Sequence, residues 1–300
     1  MLKIAYSPLY HVILPQGHRF PMEKYELLPQ QLLYEGVVTV EHFFAPIPLD
    51  EATILLTHTP DYVQRMLSLT LSAKEIREIG FPVDAHFVRR TCAIAHGTIQ
   101  AALYAMQYGC AFNAAGGTHH SFTYKGGGYC LFNDVAIACN HLLLQKIVKQ
   151  ILIVDLDVHQ GDGSAEIFGN ELRVYTFSMH GADNYPLRKE KSDLDIGLAT
   201  GTDDTTYLKI LKETLPRLIQ DIQPDLIFYL AGVDVLATDK LGKLSLSQQG
   251  CKLRDRFVFE QCKLNHIPVA VAMAGGYSER IAHIVDAHAN TYKMAMEVFF

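Results

Sequence analysis

The chain contains 300 residues, 49% of them hydrophobic and 19% charged, which is enough apolar material for the core of one large domain. A net charge of −6 and the lack of any lysine- and arginine-rich block argue against direct binding to nucleic acid. The cysteines form no CxxC pair, no apolar run approaches the roughly 18 residues of a membrane span, and no signal-peptide core is present, so we predict a cytoplasmic protein with reduced thiols.

Strand-like apolar runs alternate with longer helical patterns along the chain. The predicted strands are residues 2–6, 110–115, 151–156, 173–178, 226–231 and 269–274. The predicted helices are approximately residues 88–108, 135–148, 205–221, 248–265 and 278–299. This alternation predicts a parallel sheet with helices on both faces. No linker or repeat interrupts it, so residues 1–300 are expected to form a single domain. The irregular stretches, residues 10–25 and 181–192, are long enough to be functional loops.

Two adjacent histidines follow the second predicted strand. His119 and His120 lie in the segment GGTHHSFTYKGGGYCLFND, between two glycine clusters. A lone histidine is more often structural than catalytic. An adjacent pair flanked by glycines is harder to explain by packing, so we interpret the pair as functional.

The third predicted strand ends in the segment ILIVDLDVHQGDG, where acidic residues and a histidine alternate. Asp155, Asp157 and His159 are two residues apart, which places their side chains on one face of an extended chain. Burying these groups is unfavourable unless something compensates them, and a divalent cation would do so. The alternative is an ordinary strand end with Asp and His on the surface.

Further polar residues follow two more predicted strands. Asp234 lies in LAGVDVL and Tyr277 lies in MAGGYSER. In open parallel sheets, ligands bind outside the carboxyl ends of the strands, so four strand ends are expected to meet at one pocket. The alternatives are that Asp234 caps a helix, that Tyr277 is a core residue, and that Asp162 only stabilises the turn near it.

Together these residues describe metal-assisted hydrolysis of an amide. Asp157, His159 and Asp234 would supply three ligands and leave an open position, as a catalytic zinc requires. One of the tandem histidines would act as general base, oriented with its neighbour by Asp155 and Asp162. Tyr277 would donate a hydrogen bond to an oxyanion.

With these motifs, the chain resembles the histone deacetylase family of arginase-like fold. GGTHH, GGGYCLFND, DLDVHQGDG, AGVDVL and GGY occur in the family's order, and HRFPMEKYELL is most similar to the class IV branch and its bacterial relatives. The resemblance implies an α/β fold with an approximately eight-stranded parallel sheet flanked by helices, as one histone-deacetylase-like catalytic domain.

The resemblance also assigns roles. Its metal ligands are Asp157, His159 and Asp234, holding zinc or, in cells, iron(II); both ions accept imidazole and carboxylate. It makes His120 the general base beside His119, and Tyr277 the oxyanion donor. It implies a substrate channel and a structural potassium site. The channel residues are Gly128, Tyr129, Tyr185 and Leu241. The potassium residues are Asp155, Asp157, His159, Ser178 and Met179.

The sequence departs from the family at several positions. Gln160 stands where many eukaryotic members have a second histidine, although class IV members also carry glutamine. His96 replaces an expected glycine. The loop that bears the usual substrate-anchoring carboxylate aligns poorly, and Asp84 is the candidate there.

The expected activity is removal of acyl groups, acetyl or longer fatty acyl, from lysine side chains of a protein or peptide. One alternative is deacetylation of acetylpolyamines or other small N-acyl amines. Another is a non-catalytic protein that binds acyl-lysine. A two-metal arginase-like hydrolase would need more carboxylate ligands than the matching strand ends provide. The sequence predicts no oligomeric state.

Overall fold

A sheet of eight parallel strands forms the centre of the computed structural model, which describes residues 1–300. The strand order is β2-β1-β3-β8-β7-β4-β5-β6, and every neighbouring pair is parallel. The strands are β1 (Lys3–Ala5), β2 (Phe43–Phe44), β3 (Cys110–Asn113), β4 (Ile151–Asp155), β5 (Val174–Gly181), β6 (Leu194–Leu198), β7 (Leu226–Leu230) and β8 (Val269–Ala272).

Ten α-helices connect and cover these strands. They are α1 (Lys24–Tyr34), α2 (Glu51–Ile54), α3 (Pro60–Leu67), α4 (Ala73–Ile79), α5 (Ala85–Tyr108), α6 (Asp134–Leu144), α7 (Asp162–Phe168), α8 (Asp204–Ile222), α9 (Gln248–Leu264) and α10 (Ile281–Phe299). Two short 3-10 helices cover Pro8–Tyr10 and Val40–His42. Side-chain caps start several of the α-helices, for example Asp84 at α5, Asn133 at α6 and Asp203 at α8.

Every residue of the four central strands β3, β4, β7 and β8 is buried. Because alternate side chains of a strand point to opposite faces, both faces of the sheet must be covered. The predicted α/β class, the parallel sheet and the covering of both faces are therefore confirmed. A single hydrophobic core of 87 buried residues surrounds the sheet.

The carboxyl ends of the central strands lie in one row. Asp155 pairs with Leu230, Leu230 with Ala272, and Ala272 with Asn113. On the other side, Asp155 pairs with Ser178. The loops that leave this row therefore start side by side, which brings residues distant in sequence to one edge of the sheet.

All six predicted strands are present, and β2 and β6 are two that the apolar pattern did not predict. β2 has only two residues, and β6 is an edge strand whose alternating Asp and Gly break the apolar pattern. Helices α1 to α4 and α7 were also not predicted. Four of these have eight residues or fewer, and α1 contains Pro29, so none shows a long period.

None of the ten helices combines the length and the apolar composition needed to cross a membrane. All six cysteines are free and buried, which agrees with the predicted reduced thiols.

Candidate active site

Asp157, His159 and Asp234 form a buried triad beyond the ends of β4 and β7. One possible ligand atom from each residue lies within 4.8 Å of the others. His159 Nδ1 lies 3.1 Å from Asp157 Oδ1 and 3.3 Å from Asp234 Oδ2. The remaining carboxylate oxygens are held by the backbone: Gly275 N–H donates to Asp157 Oδ2 at 2.8 Å, and Val158 N–H donates to Asp234 Oδ1 at 3.0 Å.

The triad fits a divalent cation. Asp234 Oδ2 is buried and has no hydrogen-bond donor, an arrangement that is unfavourable in a protein interior. Burial and the neighbouring Asp157 raise the pKa of Asp234 above its usual range. Burial alone would lower the pKa of His159, but its hydrogen bond to Asp157 and the nearby carboxylate of Asp234 outweigh this and raise it to about 10. The site therefore concentrates negative charge that a cation would neutralise, and three N and O ligands suit zinc or iron(II).

Two glycines allow the backbone to lie directly against the carboxylates of the triad. A Cβ atom on Gly232 would lie 2.6 Å from Asp157 Oδ2 and 2.9 Å from Asp234 Oδ1. A Cβ atom on Gly275 would overlap Asp234 Oδ2. The glycines in AGVD and AGGY thus permit the close approach of backbone and ligands.

The tandem histidines each pair with a different aspartate. His119 Nδ1 donates to Asp155 Oδ2 at 2.6 Å, and His120 Nδ1 donates to Asp162 Oδ1 at 2.6 Å. Burial lowers the pKa of His119, but Asp155 more than reverses this and raises it to about 9. Burial and the adjacent His119 lower the pKa of His120 to about 4. The two imidazoles therefore differ: Asp155 favours the protonated form of His119, whereas burial and His119 favour the neutral form of His120.

Tyr277 is partly buried beside the triad, with its ring centroid 6.4 Å from that of His159. Its backbone N–H donates to Asp239 Oδ2 at 2.6 Å, and Asp239 Oδ1 accepts from Leu241 N–H at 2.8 Å. One carboxylate thus links two loops of the site. Burial and the nearby Asp157 raise the pKa of Tyr277 well above its ordinary value, so its hydroxyl stays protonated.

Two cavities meet at this centre. The outer cleft has a volume of about 420 Å³, and the inner chamber has about 40 Å³. Both are lined by His120, Gly128, Tyr129, His159 and Tyr277. The outer cleft also contains Tyr185 and Leu241, so all four residues predicted for the channel line it. Both loops predicted to be functional contribute to these walls, through Phe20 and Tyr185.

Two of the residues predicted to bind potassium, Ser178 and Met179, lie on β5, next to Asp155. Asp155 and Ser178 are paired in the sheet, and Met179 follows on β5. The hydroxyl of Ser178 lies 2.9 Å from His180 Nδ1. Their role in binding a monovalent cation stays a prediction.

Three residues that depart from the family pattern have structural contacts. The carboxylate of Asp84 caps α5 by accepting from Phe87 N–H, and it lines neither cavity. His96 contacts the backbone of Ile47, also away from both cavities. Gln160 is buried. Its side-chain N–H groups donate to Glu190 O and to Asp195 Oδ1, and its side-chain oxygen accepts from Glu190 N–H.

The sequence did not identify Asp134 as part of the site. Its carboxylate accepts bonds from Gly117 N–H at 3.2 Å, Thr118 N–H at 2.7 Å, the Thr118 hydroxyl at 2.6 Å, and the hydroxyl of Thr98. It therefore fixes the turn that leads into the two histidines. The only feature that could have pointed to Asp134 was its position directly after the N-cap of α6. That position is typical of an ordinary acidic residue in the first turn of a helix.

Comparison with known proteins agrees with this architecture. A family model described as "Histone deacetylase domain" matches residues 18–292. An uncharacterised protein of Picosynechococcus sp. is 44% identical over 296 residues, 99% of each chain. Histone deacetylase 2 of Arabidopsis thaliana is 29% identical, with 95% of this chain aligned to 76% of that protein. The crystal structure of an HDAC homologue complexed with SAHA superposes with a TM-score of 0.84 at 23% identity, covering 99% of this chain and 84% of the other.

The parallel eight-stranded sheet has the fold of that HDAC homologue, and in this chain a buried acidic centre and paired histidines lie at its carboxyl edge. Since the domain model covers most of the chain, the protein belongs to the histone deacetylase family.

Replacing Asp134 by alanine should lower the free energy of unfolding by about 3 kcal/mol, because several buried donors lose their acceptor. Denaturant unfolding measures the change. Asp203→Ala is the matched control, because Asp203 is exposed and caps the N-terminus of α8. This substitution should lower the free energy of unfolding by only about 1 kcal/mol. Equal losses in the two variants would contradict the anchoring role of Asp134.

Proposed function

We propose that this protein is a metal-dependent amidohydrolase that removes acyl groups, preferentially acetyl, from lysine side chains of a protein or peptide. The observation that carries the proposal is the buried triad of Asp157, His159 and Asp234, which lies beside the aspartate-paired His120 at the base of an open cleft. When bound, zinc or iron(II) would supply Lewis-acid activation of the amide carbonyl and of water.

His120 would be the general base. Its Nδ1 donates to Asp162, its lowered pKa favours the neutral imidazole, and its side chain lines both cavities. It would take a proton from the attacking water and return it to the lysine amine as that group leaves. His119, kept protonated by Asp155, would contribute positive charge next to the reacting centre.

Tyr277 would stabilise the negative charge that develops on the carbonyl oxygen. Its hydroxyl is a donor at any physiological pH, and Asp239 fixes its backbone. A donor placed in advance contributes more in the transition state than in the ground state, because the charge it faces exists only there.

The two cavities favour a short acyl group. The carbonyl carbon of an acyl-lysine carries the lysine arm on one side and the acyl chain on the other. The lysine arm must leave through the outer cleft, since the peptide lies outside the protein, so the acyl group would enter the inner chamber. A chamber of about 40 Å³ is close to the roughly 30 Å³ that one water molecule occupies in the liquid, which favours a methyl group over a fatty chain.

The wall of the inner chamber also opposes a longer chain. Arg90 is buried there without a carboxylate partner. Its Nε donates to Tyr10 O at 2.6 Å, and its guanidinium lies 4.9 Å from the ring centroid of Tyr25 and 5.3 Å from that of Phe87. These contacts hold the charge in place, and an aliphatic chain against it would make no polar contact with the guanidinium.

Acetylpolyamines are a weaker match to the outer cleft. A polycationic substrate would need an acidic entrance, whereas this cleft is lined by Arg77 and Lys243 as well as by Glu78 and Asp183. A non-catalytic acyl-lysine reader would have no use for two separately paired histidines and an oriented tyrosine.

Removal of the metal should abolish turnover of an acetyl-lysine peptide, and zinc should restore it. Asp234→Asn should prevent both zinc binding and turnover. The metal-free variant should unfold at no lower denaturant concentration than the metal-free wild type, because the substitution removes an unsatisfied buried carboxylate oxygen next to Asp157. Metal analysis, peptide hydrolysis and denaturant unfolding measure these outcomes. Full turnover in chelator would refute the proposal.

Tyr277→Phe should lower kcat by about 10² or more with zinc content unchanged, because an oxyanion donor is lost. Tyr185→Phe is the matched control, since Tyr185 lines the same cleft and its ring is retained. It should keep a kcat close to that of the wild type. Unchanged kcat in Tyr277→Phe would exclude the oxyanion role.

Among lysine peptides carrying acetyl, butyryl, octanoyl and myristoyl groups, kcat/KM should be highest for acetyl and should fall with chain length. Ile94→Ala should raise the ratio of butyryl to acetyl hydrolysis, because Ile94 lines the inner chamber. Ile99→Ala, on the same helix and equally buried but outside the chamber, should leave the ratio unchanged. Myristoyl turnover equal to acetyl turnover in the wild type would show that the chamber does not limit the acyl group.

A further inference from the structure

We propose that Arg254, on α9, is a positioning residue that sets the spacing of the two strand ends carrying Asp157 and Asp234. The inference rests on the metal-dependent function proposed above. Arg254 is completely buried and lines neither cavity, so it has no access to the substrate.

A single nitrogen of Arg254 bridges the two ligand-bearing loops. Its Nη1 donates to Leu156 O at 3.2 Å and to Gly232 O at 2.6 Å. Leu156 directly precedes Asp157, and Gly232 lies two residues before Asp234. The guanidinium thus joins the backbone of both loops close to the point where each delivers its carboxylate.

Arg254 bridges the two segments just beyond the point where the backbone hydrogen bonds between β4 and β7 end. Regular pairing of β4 with β7 ends at Asp155 and Leu230, and one further bond runs from Leu156 N–H to Leu230 O at 3.2 Å. Beyond it the chains separate, and no backbone N–H donates to Leu156 O or Gly232 O. Arg254 provides the donor for both carbonyls, at the position where the next bonds of the ladder would otherwise be needed.

The triad has little room to absorb a change in this spacing. Asp234 Oδ1 already accepts from Val158 N–H, next to Asp157, at 3.0 Å. A Cβ atom on Gly232 would be 2.6 Å from Asp157 Oδ2, so the Gly232 backbone is packed directly against a ligand. A shift of either strand end would therefore move the carboxylates relative to each other, and metal affinity depends on that geometry.

The guanidinium is itself fixed from α9 and α10. Arg254 Nε and Nη2 both lie 2.8 Å from Asp255 Oδ1. Asp255 also accepts from the hydroxyl of Tyr229 and, at 2.7 Å, from that of Thr291. The Asp255 carboxylate thus neutralises the buried guanidinium, and removing it would leave that charge unpaired, which is destabilising.

The rival explanation is that Arg254 only stabilises the fold, and two variants separate the roles. Arg254→Met removes the bonds to both carbonyls, whereas Asp255→Asn removes the ion pair and leaves those bonds available. A purely structural role predicts that both variants lose stability and metal affinity together. The positioning role predicts weak metal binding in Arg254→Met alone.

The experiment uses the full chain and measures the zinc dissociation constant by chelator competition, the visible spectrum of the cobalt(II) form, and unfolding of the metal-free protein. Arg254→Met should raise the zinc dissociation constant about 10- to 100-fold, as for other groups that orient metal ligands, and should alter the cobalt spectrum. Arg254→Lys, which keeps the charge and a donor, should be intermediate. Asp255→Asn should lose stability and keep a dissociation constant close to that of the wild type. Arg256→Met, two residues along α9 in an exposed pair with Glu260, is the control and should change neither quantity.

Wild-type zinc affinity and an unchanged cobalt spectrum in folded Arg254→Met would overturn the positioning role and leave the proposed function intact. If that variant does not fold, the same result in Arg254→Lys is decisive. Equal weakening in Asp255→Asn would also overturn it. A wild-type protein that binds neither zinc nor cobalt would instead refute the metal site, and the positioning role with it.

Discussion

Two aspartate side chains buried within reach of one another are the constraint on which the rest of this structure depends. Asp157 and Asp234 approach the same histidine and have no arginine or lysine bonded to them. Such an arrangement is unfavourable in a folded chain unless a cation neutralises it. The protein tolerates it in part because backbone N–H groups donate to both oxygens of Asp157 and to Asp234 Oδ1, which leaves Asp234 Oδ2 without a donor.

The sheet makes this arrangement possible. Register between β4 and β7 brings Asp155 opposite Leu230, so the two loops leave the sheet at the same height and their ligands meet within a few residues. The same register places the loops after β3 and β8 alongside, which supply the histidines and Tyr277. Stability of the sheet and chemistry of the site are thus coupled through one row of strand ends.

Much of this arrangement was accessible from the sequence because its signals are local. Alternating Asp and His after an apolar run, adjacent histidines between glycines, and Asp234 and Tyr277 after further strands are all visible in short stretches of sequence. The six predicted strands follow from apolar runs. What the sequence missed depends on long-range contacts. β2 and β6 form only because a neighbouring strand offers its edge, and the short helices α2, α3 and α4 carry too few residues for a clear period. Asp134 and Arg254 lie in helical segments where nothing local distinguishes them from a first-turn acid and a surface arginine.

The same contrast between local signals and long-range contacts explains why the sequence motifs suggest a type of reaction but do not predict the length of the acyl group. The residues that would carry the chemistry come from loops at the strand ends, and their types follow from what a metal, a base and an oxyanion donor must be. The size of the inner chamber depends on Tyr25, Arg90 and Ile94, which belong to α1 and α5 and lie outside every catalytic motif. Their effect on a substrate arises only when the helices pack behind the triad. In the proposed function, the limit on acyl length would therefore depend on how these helices pack, whereas the reacting groups would come from the strand ends.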